Sequence, residues 1–156
     1  LKRSKGNVRQ MADSLALENQ ICFPVYASSR LMTALYQPLL TEIGLTYPRY
    51  LVMLVLWEQD GIALKEIGRR LLLDSGTLTP LLRALEKQGL LKRRKDPDDE
   101  RSLIVLLTAK GRALREKAAC IPEQLLKKTG ASPSDVVRLK KELDRLLFTL
   151  QEAVSV

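Results

Sequence analysis

The chain of 156 residues contains no histidine. That excludes a Ser-His-Asp triad and any imidazole-ligated metal. Its two cysteines, Cys22 and Cys120, lie far apart and form no C-x-x-C pair. A disulfide-stapled secreted framework and a cysteine-built zinc site are therefore both excluded. No Walker loop and no G-x-G-x-x-G occurs, so the familiar glycine cradles for nucleotide phosphates are missing. No apolar run approaches the ~18 residues of a membrane span. Aromatic residues make up only 4% of the chain, whereas leucine is abundant. That balance favours helices over a β-sandwich. These absences argue against an enzyme and against a membrane protein, and they lead us to expect no metal and no cofactor.

What is present is periodic apolar residues and unevenly placed positive charge. Hydrophobic residues are 46% of the chain, enough for one ordinary globular core. The net charge is +8. The first ten residues, LKRSKGNVRQ, hold Lys2, Arg3, Lys5 and Arg9 without the apolar block of a signal peptide. Residues 1–12 are expected to be an arm outside the fold, disordered or extraneous, and without its four charges the body keeps +4. Between positions 65 and 95, nine Lys/Arg face only Glu66, Asp74 and Glu86, a local net of +6. A basic segment of this kind is the footprint of a polyanion partner, or simply a solvated face.

Apolar spacing predicts the element order. Leu15, Leu17, Ile21, Val25, Leu31, Leu35 and Leu39 recur at helical spacing over 13–40, as one helix kinked at Pro24 or two with a start near it. Thr46 and Pro48 open a helix that Asp60-Gly61 ends. Its apolar residues run almost all round, which predicts burial. A short helix over 63–72 follows, then a break at Leu73-Asp74. In the next helix Leu78, Leu81, Leu82 and Leu85 form a narrow stripe, with Gly76, Pro80, Arg83 and Lys87 opposite. Its N-cap is Asp74, Ser75 or Thr77, and Pro80 is expected in or close to the first turn. Segments 90–95 and 102–107 read as a β-hairpin across the polar turn DPDDER. A helix capped by Thr108 should run to about 128 with a bend near Pro122, and a last one from Ser132 or Ser134 to about 152.

Two short helices with a tight break, then a hairpin, describe a winged helix-turn-helix within a mainly α fold. The second helix of such a unit enters the DNA major groove, and its outer face must be small and polar at the N-terminal end. Ser75, Thr77, Thr79, Pro80 and Arg83 lie there, with Arg83 suited to a bidentate guanine contact and Thr77 or Thr79 to phosphate or a thymine methyl. The plainer reading is that Thr77 and Thr79 only favour the helix start. In the acidic tip, Asp99 could orient Arg101 into a narrow minor groove, with Arg93 and Arg94 meeting phosphates. The alternative is a solvated turn with weak ion pairs. The domain expectation is a DNA-binding unit over 46–108, flanked by dimerisation helices at 13–45 and 109–156. A two-fold dimer would read a palindromic operator. The competing view packs the terminal helices back on their own subunit.

The stretches DSGTLTPLLRALEKQGLLKRR and DDERSLIVLLTAKG resemble the MarR family of bacterial transcription regulators. The D-x-R…L-T wing signature falls on Asp99, Arg101, Leu107 and Thr108. LENQICFPVY and YQPLLTEIGLTYPRYLVMLVLWE resemble the organic-hydroperoxide sensor branch, and the likeness runs from residue 17 to about 117. It implies a cytoplasmic bacterial repressor of peroxide-detoxification genes, with organic hydroperoxides as inducers. It implies that Cys22 is the peroxide-reactive thiol, that Tyr36 and Tyr47 hydrogen-bond it, and that Tyr26 lies near. A reactive cysteine needs thiolate character, and phenols donating to sulfur supply it. The chain departs from two-cysteine members, whose second cysteine comes after the proline bend. Cys120 therefore either resolves oxidised Cys22 or stands by while a small thiol does so. Two other readings remain: a regulator gated by a small apolar or phenolic ligand, and a thiol peroxidase.

Overall fold

The most apolar helix of the sequence becomes the axis of the core. A computed structural model describes residues 14–97, 99 and 102–154. A 3-10 turn at Leu17–Asn19 leads into α1 (Cys22–Glu42) and then α2 (Tyr47–Glu58), the central helix. Next come β1 (Ile62–Ala63), α3 (Leu64–Leu71), α4 (Ser75–Lys87), β2 (Leu91–Lys95) and β3 (Leu103–Leu107). The chain closes with α5 (Ala109–Ala118), α6 (Ile121–Thr129) and α7 (Pro133–Val154). Tyr50, Val52, Met53, Val55 and Leu56 of α2 are buried, as an all-round apolar helix requires. Ile67 of α3, Leu78, Leu82 and Leu85 of α4, and Val105 of β3 close over them with no exposed surface.

Several boundaries differ from the sequence expectations for physical reasons. α1 is one helix, with Pro24 in its first turn, where a missing N–H costs nothing. Thr46 occupies the N-cap of α2 but makes no side-chain cap bond. Asp74 is the N-cap of α4, its Oδ1 accepting the Thr77 N–H at 2.9 Å. Pro80 is the sixth residue of α4, a turn deeper than expected, on the exposed side where water can reach the unpaired Gly76 carbonyl. The segment 109–128 is broken rather than bent. α5 ends at Ala118, and α6 restarts with Pro122 in its first turn, because a proline's ring clashes with the carbonyl four residues back.

The hairpin pairs Leu91 with Leu107 through to Lys95 with Leu103. A third strand, β1, was not anticipated. It lies on the other edge of β3, pairing Ile62 with Val105. Two residues are too short to carry a period-two signal. Of the terminal helices, α1 and α6 pack on each other and place Leu39, Leu40, Ile121 and Leu125 in the core, whereas α7 adds nothing to it. α7 has no buried residue, and its Leu139, Leu143, Leu147, Phe148 and Leu150 are exposed. At the start of α1, Ile21, Phe23 and Val25 are exposed as well.

Candidate DNA-reading face and sensor cysteine

The outer side of α4 presents Ser75, Gly76, Thr77, Pro80 and Arg83 to solvent, with Thr79 half-buried beside them. Arg83 forms no ion pair with any described residue. The Thr77 hydroxyl is occupied, donating to Asp74 Oδ2 at 2.8 Å. Thr77 thus serves the helix start in this structure. The two cap bonds from Thr77 hold the Asp74 carboxyl below the usual carboxylate range.

The wing requires one correction. Arg93 and Arg94 were both expected to meet phosphates, but neighbouring residues of a strand point to opposite faces. Arg93 turns inward, and its Nε donates to Glu86 Oε2 at 2.9 Å while its backbone N–H donates to Glu86 Oε1 at 3.0 Å. Glu86 lies on α4, so the pair fastens the wing to the helix, and the Arg93 bond draws the Glu86 carboxyl below its ordinary range. Arg94, in register with Ile104, stays exposed. Asp99 is exposed at the tip, its carbonyl accepting the Ser102 N–H. Arg101 lies outside the described residues.

Cys22 is the first residue of α1, exposed and with a free thiol. The positive end of the helix dipole favours negative charge there. Tyr26 lies one turn on and is exposed. Its hydroxyl accepts a bond from Arg30 at 3.2 Å, and the Arg30 guanidinium sits 5.6 Å from the ring centroid. This places a cation on the cysteine's side of α1. Positions 22, 26 and 30 follow the i, i+4 rule, so the sequence held that signal unread.

Tyr36 and Tyr47 come together at the far end of α1, ring centroids 5.0 Å apart. Tyr50, absent from the expected set, joins them at 5.8 Å from Tyr36. Burial, with smaller contributions from Tyr50 and Tyr47, pushes the Tyr36 phenol up to about 12, and burial raises Tyr47 too. Both therefore stay protonated donors at any physiological pH. Within the protomer the cysteine sulfur makes no hydrogen bond to either. Cys22 and Tyr36 are fourteen residues apart on one continuous helix, a separation of about 21 Å.

Cys120 occupies the break between α5 and α6, exposed and free, and accepts a bond from Gln124 Nε2 at 3.2 Å. α6 packs against α1. Two long-range contacts tie the tyrosine region to the DNA-reading unit, and spacing gave no sign of either. Gln88, the C-cap of α4, donates to the Gly44 carbonyl between α1 and α2 at 3.1 Å. Trp57 Nε1 donates to the Gly111 carbonyl of α5 at 2.8 Å.

Residues 34–118 match the family model for the transcriptional regulator SarA/Rot. The chain is 48% identical over 140 residues to an organic hydroperoxide resistance transcriptional regulator of Bacillus subtilis, covering 90% of this chain and 95% of that one. Its fold resembles reduced AbfR bound to DNA, with a TM-score of 0.76 at 37% identity over 88% of this chain and 96% of that one. Against the disulfide form of AbfR the TM-score is 0.63 at 35% identity, over 97% and 100% of the two chains. From the winged unit, the cysteine-bearing helix and these likenesses together, the chain belongs to the MarR/SarA-type transcriptional regulators, in the branch of the organic hydroperoxide resistance regulators.

Proposed function

We propose that the protein is a homodimeric, redox-sensing repressor whose Cys22 is oxidised by organic hydroperoxides, releasing it from palindromic operator DNA in the bacterial cytoplasm. The observation that carries this reading is the distance along α1. A sulfur about 21 Å from Tyr36 along one continuous helix cannot meet it within one chain. Two α1 helices crossing antiparallel about a two-fold axis near Ser29 would bring each Cys22 to the Tyr36 and Tyr47 of the other copy. The residues at that midpoint, Ala27, Ser28 and Ser29, are small enough for close approach. The exposed apolar faces of α1 and α7 would close over the same contact.

In the reduced dimer the protonated phenols donate to the Cys22 thiolate. The thiolate attacks the terminal oxygen of a hydroperoxide and the O–O bond breaks. The sulfur becomes a sulfenic acid, and the alkoxide takes up a proton and leaves as an alcohol. A second thiol, that of Cys120 or of a small molecule, then forms a disulfide and releases water. Uncharged sulfur no longer holds the phenols, and the two α4 helices lose their groove spacing. Exposed Ile21, Phe23 and Val25 around the thiol favour apolar hydroperoxides over hydrogen peroxide.

Operator binding by reduced protein, measured before and after an organic hydroperoxide, tests this reading. Release should occur in the native protein and be lost in Cys22→Ser. A second reading, gating by a small ligand, is favoured by a cleft of 280 Å³ lined by Tyr50, Leu54, Trp57 and Arg115. It requires hydroperoxide release to survive in Cys22→Ser, or to be absent from both proteins. Continuous turnover of peroxide with thioredoxin would indicate a peroxidase instead. Mass spectrometry of the oxidised dimer would show whether Cys22 joins Cys120.

A further inference from the structure

The tyrosine cluster does not end at Tyr50. Tyr36 packs on Tyr47 and Tyr50, and Tyr50 meets Trp57 edge-on with centroids 6.2 Å apart. Tyr47, Tyr50 and Trp57 lie on one side of α2, so the four rings form a continuous row from the sensor end of the helix to its other end. There the indole N–H donates to the Gly111 carbonyl, 54 positions along the chain. Gly111 is a junction. Its N–H donates to Thr108 Oγ1 at 3.0 Å, and that hydroxyl donates to the Gly89 carbonyl at 2.6 Å. The Thr108 N–H donates to the Leu90 carbonyl at 3.1 Å. Gly89 and Leu90 join the end of α4 to the start of the wing.

We infer that Trp57 is a positioning residue that couples the sensor tyrosines to the DNA-reading unit, through its indole bond to Gly111. Tyr36 and Tyr47 are in ring contact with each other, Tyr36 with Tyr50, and Tyr50 with the edge of Trp57, so a turn of Tyr36 or Tyr47 passes from ring to ring along the row. A hydrogen bond is directional, so the indole converts that displacement into a pull on the first turn of α5. α5 is fastened to the end of α4 and the start of β2, and both would follow. This deepens the peroxide-sensing reading and rests on it.

Trp57→Phe keeps an aromatic ring and removes the donor. Operator Kd would be measured for the reduced dimer and for dimer treated with cumene hydroperoxide, with Cys22 oxidation followed by mass. The ratio of the two constants should shrink at least about five-fold relative to the native protein, the equivalent of one neutral hydrogen bond. Cys22 should still oxidise to completion. An unchanged ratio with Cys22 equally oxidised would overturn the inference. If the native protein shows no such ratio, the sensing reading itself fails, which is a different result. A second measurement does not depend on the variant folding. Trp57 is the chain's sole tryptophan. Its emission should change when native protein is oxidised and stay constant in Cys22→Ser. Constant emission in the native protein, with Cys22 oxidised and DNA released, would equally overturn it.

Discussion

Gly111→Ala tests the junction at the root of the wing, because local and tertiary effects predict opposite signs. Gly111 is the third residue of α5. By propensity alone, alanine there should stabilise the helix by up to about 1 kcal/mol. The structure predicts the reverse. A Cβ at position 111 would stand 2.0 Å from the Leu90 carbonyl oxygen and 3.1 Å from Leu107 Cδ2. The first of these is backbone, which no rotamer change can move away. Restoring ordinary contact at ~3.5 Å needs a shift of about 1.5 Å between α5 and the α4–β2 turn. A shift of that size would break the Thr108 N–H bond to Leu90 and the Trp57 bond to Gly111, 3.1 and 2.8 Å long. Two bonds at about 1 kcal/mol each, plus about 1–3 kcal/mol of overpacking, offset the propensity gain and leave a net loss of about 2–4 kcal/mol. Urea unfolding at fixed protein concentration measures it, since any association contributes to apparent stability. A variant as stable as the native protein, or more so, would refute this account of the junction.

Other expectations concern the DNA face and the tyrosines. Arg83→Ala should relax operator preference at one base and cost about 1–3 kcal/mol, and an equal loss on every sequence would make Arg83 a phosphate contact instead. Arg94→Ala should reduce the salt slope of DNA binding by about one, whereas Arg93→Ala should leave that slope intact and loosen the wing. Equal slope changes would remove the distinction between the two arginines. Because the Glu86 carboxyl is drawn below its ordinary value, its clamp on Arg93 is fully formed above about pH 4.3 and is lost only as pH falls through that lowered value. Operator affinity should therefore show no Glu86-dependent change between pH 5 and 8, a flatness that comparison with Glu86→Gln checks. The Tyr36 phenol is raised to about 12, so the stability it contributes is complete below about pH 10 and falls as pH rises through its folded value. An ultraviolet titration should show a most alkaline phenol step that disappears in Tyr36→Phe.

What the sequence could reveal was local. The leucine stripe of α4 and the paired strands depend on residues within a few positions of each other, and their periods are written in the chain, as is a helix start among Asp74, Ser75 and Thr77. That much established the winged unit, and the motif around Cys22 and the two tyrosines established the resemblance. Charge alone makes Arg93 and Arg94 look alike as phosphate contacts, although period two lets only one of them face outward.

The sequence by itself determined where most of the helices lie and which of their faces are apolar, because these follow from nearest-neighbour geometry along the backbone. Tertiary structure alone decided the partners of Glu86, Gln88 and Trp57, since each contact joins segments that only folding brings together. It also decided that Cys22 and Tyr36 stand apart. A rigid helix fixes their separation, and no local rule reveals whether the chain bends back between them until α1 is known to be continuous.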